Sequence, residues 1–179
     1  MRKSVKTLYE FFLKTFPAFL LVLFFAGCNL YGKVGEDDVT QGALPELLRG
    51  EWVYIQPGLS VPAERFTIEG DIIQYDDYSG GDFSYKGKIE LVSNFNEDSG
   101  VIIIQYTNPP SYPLYNGNSF FGIYYRNLGS NSVQLANSIN PDYSAPDTAT
   151  LEEAIQKFTL FNMGDYVNWG VVQPQTRVR

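Results

Sequence analysis

Cys28 is the only cysteine in the chain, and it directly follows the apolar run Phe16-Pro-Ala-Phe-Leu-Leu-Val-Leu-Phe-Phe-Ala-Gly27. With no second thiol, an internal disulfide is impossible and the core alone must hold the fold. The chain contains no His. That removes Ser-His and Cys-His nucleophile pairs, His-dependent zinc sites and the usual base near neutral pH. Beyond Cys28 the only lysines are Lys33, Lys86, Lys88 and Lys157, none in a Ser-x-x-Lys setting. Lys86 and Lys88 are two apart on a predicted strand, a solvated face. Glu64, Glu69, Glu90 and Asp71 sit near predicted strands, where a carboxylate pair could hydrolyse a glycoside. No cleft signature accompanies them, and they read as surface charge. Asp76, Asp77 and Asp82 form an oxygen-rich, glycine-containing loop, the one candidate for calcium. Asn94-x-Asn96-x-Asp98 starts like an EF-hand loop but has Ser99 and Gln105 at its sixth and twelfth positions. No glycine-rich phosphate loop follows a strand. No catalytic residue, cofactor or enzymatic activity is expected.

The elements around Cys28 give it a different role. Arg2, Lys3, Lys6 and Lys14 make a basic start opposed only by Glu10. The apolar segment that follows is about 10 residues, within the range of a secretory signal, where a membrane span needs roughly 20. Phe25-Ala26-Gly27-Cys28 resembles a bacterial lipobox, with Phe25 where Leu is commonest, as in the relaxed lipoboxes of spirochaetes. The resemblance implies cleavage between Gly27 and Cys28 and a diacylglycerol on the Cys28 thiol, with palmitate-type acyl chains anchoring the protein in the cell envelope. Asn29 after the Cys, instead of Asp, leans towards the outer membrane over the inner. The alternatives are an uncleaved N-terminal anchor and a soluble secreted protein with a free Cys28.

Cleavage there removes four of the 13 Lys/Arg and one of the 20 Asp/Glu, leaving 9 against 19 and a net charge of −10. Phosphate backbones bind clustered Lys and Arg, so nucleic acid is excluded as a partner. The same charge disfavours broad contact with anionic head groups, so the membrane is met through the acyl chains.

Three segments follow. Residues 1–27 are the signal peptide, 28–43 a polar acidic tether, and 44–179 one β-rich domain. Leu44-Pro-Glu-Leu-Leu48 can form a helical turn. Strands are predicted at 52–56, 64–69, 72–76, 83–95 (bent at Gly87), 101–107, 120–127 and 132–138. Val101-Ile-Ile-Ile104 is apolar on both faces and should be buried on both. Thr150-Leu-Glu-Glu153 fits a capping box. Leu151, Ala154, Ile155, Phe158 and Phe161 then recur at helical spacing, with Gly164 as the stop and a short eighth strand at 166–172. The simplest assembly is an antiparallel meander forming a small barrel with one C-terminal helix; a β-sandwich is the alternative.

Gly50-Glu-Trp52 opening the first strand, followed by antiparallel strands and a late helix, resembles the lipocalin/calycin plan. The resemblance implies Trp52 as the plug at the barrel base, with Arg126 as the Arg stacked on it. The Thr-Asp-Tyr signature of that group has only Pro141-Asp-Tyr143 as a poor substitute. Lys86-Gly-Lys-Ile-Glu, Asn94-Phe-Asn, Tyr124-Tyr-Arg-Asn, Val133-Gln-Leu-Ala-Asn and Tyr166-Val-Asn-Trp169 resemble a family of treponemal lipoproteins of uncharacterised function. That resemblance covers nearly the whole folded part and implies no activity.

Beyond Cys28 the chain holds 7 Phe, 12 Tyr and 2 Trp. Tyr joins an apolar body to a polar tip, which suits pockets and interfaces. The loop 108–118, with Tyr112 and Tyr115, is the expected rim of a pocket or contact surface. The function expected is a non-enzymatic envelope lipoprotein that binds a small apolar ligand or a protein partner, with Tyr54, Ile103 and Tyr125 lining an open barrel. The alternative is a structural or host-interaction surface protein whose barrel is filled.

Overall fold

The computed structural model describes residues 42–79, 83–111, 117–141 and 143–178. Gly27, Cys28, the rest of 1–41, Asp82, Tyr112 and Tyr115 lie outside them. Eight strands form: β1 (Gly50–Tyr54), β2 (Glu64–Glu69), β3 (Ile72–Asp77), β4 (Tyr85–Asn94), β5 (Gly100–Asn108), β6 (Phe120–Arg126), β7 (Ser132–Asn137) and β8 (Gln175–Arg177). Each pairs antiparallel with the next, and β8 returns to pair with β1, closing a barrel. The protein is therefore mainly β, a closed antiparallel meander of lipocalin-like plan and not a sandwich.

Alternation along the strands sorts side chains into two clusters. Trp52, Phe66, Ile68, Ile73, Tyr75, Tyr85, Ile102, Ile104, Phe121, Ile123, Tyr125, Val133 and Leu135 point inward and form the interior. Val101, Ile103, Leu91, Tyr124 and Ala136 point outward, where Ala154, Phe158 and Val167 of the C-terminal arm cover them. Both faces of Val101–Ile104 are thus buried. Interior and outer apolar surfaces each contribute, at about 25 cal/mol per Å² removed from water.

The barrel has a base and a mouth. At the base lie the start of β1, the Gly70-Asp71 turn, the β4–β5 turn and the end of β8. Leu48, on the 3-10 turn Glu46–Leu48, closes it with Trp52 above. The chain arrives at this end, with the Gly42 N–H donating to Val92 O at 2.9 Å. The described parts of the β1–β2, β3–β4 and β5–β6 connections, and the start of the β7–β8 connection before α1, lie at the mouth.

Two register shifts, at Lys86/Gly87 and Ile89/Leu91, bend β4 around β5. A Cβ on Gly87 would come within 2.6 Å of Ile104 Cδ1, so the glycine sits where the strands approach closely.

The C-terminal region departs from the pattern in two ways. Helix α1 (Leu151–Lys157) is capped as its sequence dictates. The Thr150 hydroxyl accepts from Glu153 N, and the Glu153 carboxylate accepts from Thr150 N at 3.3 Å. It ends seven residues before Gly164, because the Asn162 side-chain amide donates to Lys157 O and Gln156 O and draws the chain back over the last turn. Gly164 instead lies inside a one-turn helix, α2 (Met163–Tyr166). The eighth strand is also not at 166–172. Tyr166, Trp169 and Val172 pack on the outer layer, and the barrel is closed by Gln175–Arg177.

Gly122 on β6 is what lets α1 lie close. A Cβ there would sit 2.5 Å from Phe158 Cγ and 2.6 Å from Cδ1. Gly122→Ala should lower unfolding stability by about 1–3 kcal/mol by overpacking. Gly164→Ala, with nothing within 4 Å of the added methyl, should be neutral or stabilising by up to about 1 kcal/mol. Urea denaturation of the two variants checks both.

Candidate functional site

The barrel interior is the natural place to seek a site, and it is occupied by side chains. Phe66, Tyr75, Phe83, Tyr85, Tyr106 and Phe121 form a chain of ring contacts across the upper half. Phe66–Tyr75 centroids are 4.6 Å apart, Tyr75–Tyr85 5.5 Å, Tyr85–Tyr106 5.6 Å and Tyr106–Phe121 5.6 Å. Ala145, on the connection after β7, packs against the same cluster. An eight-stranded barrel can be filled by side chains or hold one small ligand, and here bulky aromatics occupy it. Two grooves of about 460 Å³ lie elsewhere. One, at the base, runs between Gly42–Leu44, the Gly70-Asp71 turn and β4; the other flanks the start of α1. Neither is lined by the interior rings.

At the base, Trp52 is fully buried and its indole N–H donates to Leu48 O at 2.8 Å. The cation stacked on it is Arg177, 5.4 Å from the ring centroid, which also donates to Arg49 O. Arg126 does not have this role. It lies on the outer layer, 4.3 Å over the Trp169 ring, and donates to Gln134 Oε1 at 2.8 Å. The reason is parity: Tyr125 faces inward, so its neighbour Arg126 faces out. Gly50 approaches the Arg177 guanidinium closely, at φ +116, a backbone conformation L-residues rarely take.

The residues expected to line an open lumen separate. Ile103 points outward beneath α1, against the expectation, because Ile102 and Ile104 take the interior positions. Tyr125 does point inward, but it is fully buried and its hydroxyl donates to Asn94 Oδ1 at 2.5 Å. Burial, then the charge of Asp98, pushes its phenol up to about 12. Tyr54, two residues from Trp52, is half-buried on the lumen side at the mouth. Asp76 and Asp77 are consecutive in β3 and so face opposite sides of the sheet, which prevents them from sharing one ion. Asp76 accepts from Gln74 Nε2, and Asp77 Oδ1 accepts from Ser79 N and Oγ. Among the described residues no group of three acidic or other metal-ligating side chains comes together.

A polar ring at the inner mouth was not legible in the sequence. Gln175 is fully buried, its Oε1 accepting from Leu135 N at 2.8 Å and its Nε2 donating to Leu135 O and Glu64 Oε2. Tyr85 donates to Asn137 Oδ1 at 2.6 Å. Burial raises the Glu64 carboxyl above its ordinary value, opposed by the Gln175 bond and reinforced by Asp77. Tyr75 and Tyr85 phenols are likewise raised by burial and stay neutral. Strand periodicity marked Glu64, Tyr85 and Asn137 only as alternate residues, Gln175 fell outside every predicted strand, and nothing local distinguished the buried Gln and Glu from solvated ones. The ring satisfies polar atoms at the inner mouth.

Comparison with known protein families, curated proteins and solved structures found no match.

Folding raises the pKa of Glu64, so the folded state holds this proton to higher pH than the unfolded chain does. Its stabilising contribution is complete below the ordinary value of 4.5 and is lost as pH rises through the raised one. Glu64→Gln should therefore melt higher than the parent at pH 7, with the gap closing by pH 4. Thermal melts of both proteins across that range measure it; an unchanged gap would show that Glu64 is not buried in its acid form.

Proposed function

We propose that this protein is a non-enzymatic lipoprotein, anchored in the cell envelope through acyl chains on Cys28, that binds a protein partner with its outer surface. The observation that carries the choice of surface over lumen is the unbroken ring chain Phe66–Tyr75–Tyr85–Tyr106–Phe121. A small apolar ligand would have to displace these rings, and each buried aromatic vacated costs about 3–5 kcal/mol. The absence of His and the dispersal of Asp76 and Asp77 to opposite faces fit a protein whose work is contact.

The anchor rests on Phe25-Ala26-Gly27-Cys28 and the basic, apolar leader before it. On this reading the polar stretch from Asn29 leads into the base at Gly42. The outer membrane is favoured over the inner, from Asn29.

Two measurements test the two halves. The parent protein should partition into the detergent phase of a Triton X-114 separation and show a diacylglyceryl mass increment on a Cys28 N-terminus. Cys28→Ala should move to the aqueous phase; retention in the detergent phase would overturn the anchor. A fluorescent fatty-acid probe titrated onto the protein should give no saturable signal below about 100 µM, a free energy weaker than roughly −5.5 kcal/mol. A micromolar site abolished by Phe121→Trp would restore the lumen as the binding element.

A further inference from the structure

The mouth loops expose apolar side chains that the fold does not need outside. Ile55, Leu59 and Val61 on the β1–β2 connection are 46%, 53% and 61% exposed, and Tyr78 on the neighbouring β3–β4 connection is 52% exposed. The two connections are tied together, since Tyr78 N donates to Ala63 O at 2.9 Å and Ala63 N to Tyr54 O at 2.8 Å. These residues therefore form one patch. Single exposed apolar residues are normal, whereas a grouped set at one end of a domain marks a contact site.

Charge says what the patch would meet. The mouth segments 55–63, 78–84, 109–119 and 138–149, the last being the part of the β7–β8 connection before α1, contain no Lys or Arg. The end of β3 supplies Asp76 and Asp77. Arg65 sits beside the patch, 5.4 Å from the Tyr78 ring, but it is ion-paired with Glu51 at 3.1 Å. The remaining basic residues among the described ones sit on strand exteriors, at the base or on α1. An apolar centre with an acidic rim and no cation in its loops complements a partner of the opposite pattern.

We propose that the mouth face built on Ile55, Leu59, Val61 and Tyr78 docks a cationic amphipathic segment of a partner protein. The apolar residues bury the partner's apolar stripe, and Asp76 and Asp77, at the end of β3, receive its Lys or Arg. This deepens the surface-binding reading and rests on it, adding the face and the chemistry of the partner.

The test uses the full chain in a non-ionic detergent. The probes are an 18-residue Lys/Leu amphipathic helix peptide and its Glu/Leu counterpart, with binding followed by calorimetry and the footprint by hydrogen exchange. The Lys/Leu peptide should bind, protect 55–63 and 78–79, and weaken with salt, as contacts between exposed charges do. Leu59→Ser/Val61→Ser should weaken it about tenfold or more, as loss of central apolar anchors does. Leu160→Ser/Phe161→Ser, another exposed apolar pair, on the α1–α2 turn, should leave affinity within about twofold. Equal affinity for the Glu/Leu peptide would overturn the proposal. So would protection confined to the α1–α2 turn, although the broader surface-binding reading would then stand. Protection of 55–63 on transfer into phosphatidylcholine nanodiscs without peptide would assign the face to lipid and also overturn it. Both variants must retain the parent's far-UV spectrum and melting transition, so a lost site is not a lost fold.

Discussion

Everything in this molecule hangs on a seam of three residues. β8 joins β7 at Ser132↔Thr176 and Val133↔Gln175, and β1 at Trp52↔Arg177 and Val53↔Thr176. Without it, β1 and β7 would present unpaired backbone edges, the liability that closed barrels remove. So short a strand has few ladder bonds, and its side chains compensate. The Gln175 amide makes both hydrogen bonds to the Leu135 backbone that a longer strand would have made. Arg177 reaches Arg49 O and lies over Trp52, joining the last strand to the plug of the base.

Closure in turn sets the bore. Eight strands can enclose packed side chains or one small ligand, and here the sequence supplies rings for it, many carrying a phenol that must be satisfied. Asn94 and Asn137 accept from Tyr125 and Tyr85, so the tyrosines can be buried without orphaned hydroxyls. A second apolar layer then forms outside the barrel, where Phe158 seats on Gly122. The protein has, in effect, two cores separated by one sheet, and both faces of β5 are buried between them.

The sequence was most readable where periodicity was strong. Val101–Ile104, the Glu64–Glu69 and Ile72–Asp77 pair around Gly70-Asp71, and the Thr150 capping box each carry a local physical signal that tertiary packing then obeys. It was least readable where a tertiary contact decided the outcome. Gln175-Thr-Arg177 has no apolar alternation, so nothing in it announces a strand; only the open edges of β1 and β7 make it one. Tyr166–Val172 looks strand-like because it is aromatic and β-branched, yet those residues serve the outer layer. Arg126 and Arg177 are equally plausible partners for Trp52 from composition, and only strand parity separates them. The same holds at the candidate surfaces: Tyr residues could be counted, but whether they lined a bore or filled it depended on strands far apart in the chain.

The bond from Arg177 to Arg49 spans 128 positions, and this has a kinetic meaning. The hairpins β2–β3 and β4–β5 close over short loops and can form in microseconds. The seam must instead bring together nearly the two extremes of the folded region, a contact of the highest order in the molecule, and such contacts slow the search. Until it is made, β1 and β7 remain open templates and the ring cluster has no wall on one side. The contact that seals the barrel is therefore also the one with the longest loop to close.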